Sequence, residues 1–94
     1  MRVKNLNGTS DNPKCPCGSW IAHWKNYTGD DTPFCAVASC PHPATDGAHV
    51  KKAGGENTQY IIPLCKIHNG KHGEELNIFD KTEFVPVIDR HKCC

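Results

Sequence analysis

Three observations predict a small α+β domain gathered around a metal ion. A short turn, Phe34–Cys40, carries a cysteine at each end of Cys35-Ala-Val-Ala-Ser-Cys40. An apolar run, Tyr60–Leu64, leads straight into Cys65-x-x-His68. Between them lie two strand-like segments, 46–52 and 58–64, separated by the Gly54-Gly55 turn signal. A metal needs more ligands than either end of this stretch owns, so the two cysteine-bearing turns must meet.

Composition agrees with a fold that relies on such a cross-link. The chain has 94 residues, enough for one domain, and 37% of them are hydrophobic at a mean hydropathy of −0.57. Chains this short of apolar area are commonly held by disulfides or a metal, and seven cysteines and six histidines supply the means. The net charge of +1 excludes general electrostatic attraction to nucleic acid and leaves only a local patch to act that way. No apolar run approaches the roughly 18 residues that span a membrane. The first residues, Met1–Gly8, lack an apolar leader core, so a cytoplasmic, reducing location is expected, with cysteines as ligands rather than disulfides. An odd cysteine count and the close pairs Cys15/Cys17 and Cys93/Cys94 point the same way. A monomer is expected.

In chain order, residues 1–13 are polar, with Asn-Gly and Asn-Pro breakers, and read as a flexible tail; 14–94 read as a single metal-binding domain. Ser19 is a good N-cap and Gly29 a good stop for a helix between them. At helical spacing Trp20, Trp24 and Tyr27 share a face, suited to a core contact or to stacking a ligand, with His23 at its edge. Pro41 and Pro43 forbid a long helix after Cys40. A short helix is expected over 66–72, interrupted or ended by Gly70 and Gly73, then late strands at 77–79 and 83–87, the second an edge because of Pro86.

The strongest chemical signal is Cys35-x4-Cys40 followed, after 24 residues, by Cys65-x2-His68. Structural zinc takes four tetrahedral ligands, commonly as two sequence-local pairs. A tight knuckle supplies one pair and the first turn of a helix the other. Knuckle, β-hairpin and short helix in this order make the treble-clef arrangement, here with an extra N-terminal helix and late C-terminal strands. Zinc bound there would contribute on the order of 10 kcal/mol to folding.

Residues 46–50, Asp-Gly-Ala-His-Val, the Gly-Gly turn and Ile61-Ile-Pro-Leu-Cys-Lys-Ile-His68 resemble the zinc-bearing branch of the HNH endonuclease superfamily, and a group of small bacterial and phage proteins with the same stretches. The resemblance covers about residues 34–72. It implies a nucleic-acid-facing treble clef and, in an active nuclease, a metal-binding residue, a general-base histidine, a central Asn and a final metal-binding His. Those places hold Ala48, His49, Tyr60 and Asn69, so only the base, His49, is kept; His72, one turn after His68, could stand in for a lost ligand. Otherwise His49 is expected as a strand histidine beside the zinc.

Cys15-Pro-Cys17-Gly-Ser is similar to the start of the SEC-C motif, but the place of its closing Cys-Cys or Cys-His pair holds Asn26-Tyr27. The chain ends could instead meet over a second zinc held by Cys15, Cys17, His23 and Cys93 or Cys94. Lys51, Lys52, Lys66 and Lys71 could form a basic patch, or simply a solvated face. Three functions follow: a non-catalytic zinc module that binds nucleic acid or a protein partner, a divergent metal-dependent HNH-type nuclease with His49 as base, and a purely structural zinc domain.

Overall fold

A computed structural model describes residues 1–6, 19–54, 58–71 and 73–87. Five strands and two helices follow in the order β1 (Arg2–Asn5), α1 (Trp20–Thr28), β2 (Asp46–Lys52), β3 (Gln59–Leu64), α2 (Lys66–Asn69), β4 (Glu75–Asn77) and β5 (Val85–Pro86). The strands form one antiparallel sheet in the order β4-β1-β2-β3-β5. The architecture is α+β, as expected.

The hairpin β2–β3 is the centre of the sheet, with Asp46 opposite Leu64 and Val50 opposite Tyr60. β3 is rich in branched apolar residues while β2 offers only Ala48 and Val50, and Ala48, Val50, Ile61, Ile62 and Leu64 are fully buried. Because side chains alternate along a strand, the hairpin feeds two cores. Ala48, Val50, Ile62 and Leu64 join Val3, Leu76, Ile78, Cys35 and Cys65 on one face. Ile61 joins Trp20, Trp24 and Val85 on the other.

Helix α1 covers that second face. Ser19 Oγ accepts the Ala22 N–H at 3.2 Å and caps the helix; Gly29, at φ 80°, ends it by donating to the Lys25 carbonyl at 2.8 Å. Trp20 and Trp24 are buried and Tyr27 packs against their cluster, so the aromatic stripe is a core contact. Gly47 lets the helix come close. A Cβ there would stand 2.4 Å from the Trp20 carbonyl carbon, inside any tolerable contact.

Two expectations change. Residues 2–5 are not tail: they form β1, between β2 and β4, with Val3 opposite both Lys52 and Leu76. Only Val3 is apolar in Arg2-Val-Lys-Asn5, so the segment gains its place from two flanking strands rather than from its own hydrophobicity; residues 7–13 of the expected tail lie outside the described residues. The late strands also differ: the first is shifted at the same three-residue length, and the second is cut to Val85–Pro86. β4 starts earlier, at Glu75, while Ile78 makes an isolated bridge to Val37. Pro86 does lie on an edge strand, β5, since its missing N–H costs nothing on the open side.

Candidate metal centre

The knuckle is a loop clasped by the sheet on both sides. Ala36 N–H donates to Pro63 O at the end of β3 (2.8 Å), and Ala38 N–H to Asn77 O of β4 (2.9 Å). The Cys40 N–H closes the turn on Val37 O at 3.1 Å, with Ser39 in the left-handed region at φ 70°. The second ligand pair comes from the junction of β3 and α2, where Cys65 is the N-cap residue and His68 lies one turn on.

Cys35, Cys40, Cys65 and His68 are thereby brought together, with one ligand atom from each lying within 4.8 Å of all the others. His68 Nδ1 stands 3.5 Å from Cys35 Sγ and 3.2 Å from Cys65 Sγ. A tetrahedral zinc with ordinary Zn–S and Zn–N bonds separates its sulfur and nitrogen ligands by about 3.5 Å and its sulfurs by about 3.8 Å. The donor set is therefore nearly at ligating distance, and it could hold a metal ion. Three thiolates and an imidazole are the soft, tetrahedral set that suits zinc.

Backbone amides aim at the sulfurs. The N–H groups of Cys65 and Val37 donate to Cys35, and those of His68 and Ile67 to Cys65. Burial nevertheless pushes the Cys35 thiol up to about 11. Burial also pushes Cys65 up, but the His68 amide, the thiols of Cys35 and Cys40 and the Ile67 amide outweigh it and leave this thiol below its ordinary value. Cys35 and Cys65 are sealed at 3% and 5% exposure. Cys40 is half-buried and, with Cys35, lines an open groove of about 500 Å³. His42 Nδ1 is 3.6 Å from Cys40 Sγ, a contact the Cys40-Pro-His42 spacing already carried.

His49 lies elsewhere. It alternates with Ala48 and Val50 and so points to the α1 face, away from the ligand cluster. Trp20 meets its ring edge-on at 4.7 Å, and the residue is 3% exposed. Burial holds it below its ordinary pKa of 6.5, and among the described residues Nδ1 has no hydrogen-bond partner. The expected place beside the metal does not hold, because one step along a strand changes the face. Tyr60 is on the opposite face, edge-on to Phe84, and Asn69 donates to Asp46 Oδ2 at 2.9 Å. His49, Tyr60 and Asn69 thus do not converge on one point.

His23 is fully buried on the inner side of α1, with Nε2 3.1 Å from Pro86 O and its ring edge-on to Trp20. Cys15, Cys17, Cys93 and Cys94, its expected co-ligands, lie outside the described residues, as does His72. The four lysines do not form one patch. Lys51 and Lys52 face opposite sides of β2, and Lys52 Nζ sits 4.9 Å from the ring centres of both Tyr60 and Phe84.

One contact escaped sequence reasoning altogether. Asn5, 1% exposed, sends its amide to the carbonyls that follow the His68 ligand. A short polar residue in a polar segment gives no sequence signal of such a role. Among the described residues, no helix is long and apolar enough to cross a membrane. No protein-family profile, no curated protein and no solved structure matches this chain.

Proposed function

We propose that this chain is a non-catalytic zinc-binding module of the treble-clef kind, akin to the HNH-like domains, whose metal closes one end of a β-hairpin so that the surface around it can bind a partner. The observation that carries the reading is the convergence of Cys35, Cys40, Cys65 and His68 from two separate turns. When bound, zinc would supply a cross-link between knuckle and helix. The burial of His49 beneath Trp20 favours the non-catalytic form, since a general base must reach the proton it takes.

Between the two partner classes, a protein suits the surface better than nucleic acid. The groove beside Cys35 and Cys40 is flanked by Phe34 and Phe79, 68% and 59% exposed, and its charged lining is Asp30, Glu83 and Lys81. Two carboxylates against one ammonium repel a phosphate backbone.

Elemental analysis of the purified chain tests the core of this reading. About one zinc per chain is expected at the described cluster, and about two would add the site at Cys15, Cys17, His23 and Cys93. A metal-free, folded protein sinks the proposal. Plasmid incubated with Mg²⁺, Mn²⁺ or Ni²⁺ should stay intact; nicking that disappears in a folded His49→Ala variant would restore the nuclease. A gel shift of DNA that weakens with salt would restore nucleic acid as the partner.

A further inference from the structure

We infer that Asn5 is a positioning residue of the metal centre: its side-chain amide fixes the turn that carries His68, and so makes metal binding and docking of the first strand a single event. The inference rests on the zinc reading above and goes beyond it, because Asn5 is distant in sequence from every ligand.

The geometry is specific. Asn5 Nδ2 stands 3.0 Å from Asn69 O and 3.3 Å from both His68 O and Lys71 O. These carbonyls belong to the end of α2 and the turn after it. The last carbonyls of a helix have no following turn to bond within the helix, and this helix is one turn long. Its end must be satisfied from outside. The main chain of Asn5 grips the same region: its N–H donates to Glu74 O at 2.9 Å, and its carbonyl accepts from Gly73 N–H at 2.7 Å. The amide cannot be reversed without turning Oδ1 toward three carbonyl oxygens, so the donor role is set by chemistry.

The opposite side of α2 is tied by Asn69 Nδ2 to Asp46 Oδ2. The helix is thus clamped between β1 and β2, but only the β1 clamp reaches the His68 residue itself, through its carbonyl. A metal–nitrogen bond tolerates only a few tenths of an ångström. A turn free to tilt would carry Nδ1 out of that range. Groups that hold a metal ligand in place by hydrogen bonding typically cost 10–100-fold in metal affinity when removed.

Cobalt titration followed by zinc competition against a chromophoric chelator tests the inference, with the thiolate-to-cobalt and d–d absorption bands as the readout of ligand geometry. Asn5→Asp keeps the size and removes the donors. It is expected to weaken zinc binding about 10–100-fold and to shift the cobalt bands. Arg2→Ala, on the same strand but paired with exposed Glu75, should leave affinity and bands unchanged. Leu76→Ala loosens the neighbouring core without touching the amide, so it should lower stability while keeping the wild-type bands. If Asn5→Asp fails to fold, Asn5→Ser, which keeps one donor, should show an intermediate shift. Wild-type bands and affinity in the Asn5 variants, or a band shift in Leu76→Ala equal to theirs, would overturn the role of Asn5 alone. A wild-type chain that takes up neither metal would remove the metal reading and this inference together.

Discussion

On one face of the sheet Val3, Ala48, Val50, Ile62, Leu64 and Leu76 are sealed by a knuckle loop; on the other, Ile61 and Val85 are sealed by helix α1. The helix brings its own hydrogen bonds, a cap at each end and two buried tryptophans. The loop brings Ala36, Val37, Ala38 and Ser39, small side chains that bury little area. It is held by main-chain bonds to β3 and β4, and at its ends by cysteines. The α1 face can therefore close through burial of aromatic area, whereas the knuckle face depends on what its cysteines bind. Both faces carry a cost of closure: among the described residues His49 Nδ1 and Trp20 Nε1 on the α1 face, and Asn5 Oδ1 on the face of Val3, are buried without hydrogen-bond partners, and a buried orphan of that kind costs about 1–3 kcal/mol.

The largest test of this contrast is to remove the metal or a ligand. A strong chelator, or Cys65→Ser, is expected to cost on the order of 10 kcal/mol and to unfold the domain, since few small domains exceed that margin. A melting temperature unchanged by chelator would break the contrast. Next comes Gly47→Ala, whose Cβ would strike the Trp20 main chain. It should cost about 3 kcal/mol, lift α1, and leave metal stoichiometry intact; loss of zinc in this variant would show that the faces are not separable.

The third test is acid. His49 has a folded pKa below its ordinary 6.5, so the unfolded chain binds the extra proton first. Its contribution is neutral above pH 6.5 and becomes destabilising as pH falls through that value. NMR of the ring should show a titration midpoint below 6.5, and a ring that titrates at its ordinary value would contradict a buried His49. The smallest effect is expected from Ser19→Ala, which removes the cap of α1 and should cost about 1 kcal/mol by thermal or denaturant unfolding, with metal affinity unchanged.

Much of this was legible in the sequence because the signals are local. Ser19 and Gly29 bound α1, Gly54 marks the hairpin, Pro86 demotes β5, and the cysteine spacings name the ligand cluster. What was not legible depends on partners far along the chain. β1 has one apolar residue and is a strand only because β2 and β4 flank it. His49 is expected beside the metal and lies on the α1 face instead; alternation with Ala48 and Val50 carries that answer, because nearness in sequence to ligand-bearing segments is not nearness in space. Asn5 acts on carbonyls more than sixty positions away, and no periodicity encodes that.

The position of β1 also sets an order of events during synthesis. Among the described strands, the first to leave the ribosome pairs with β4, so the Arg2 side chain must wait for Glu75, 73 positions later. The hairpin and all four ligands of the cluster are complete once His68 has emerged. Local pairings form before distant ones, so the nascent chain can gather its cysteines while the first strand is still waiting. Among the described strands, the one made earliest is then among the last to dock, and the turn that carries His68 is fixed only when it does.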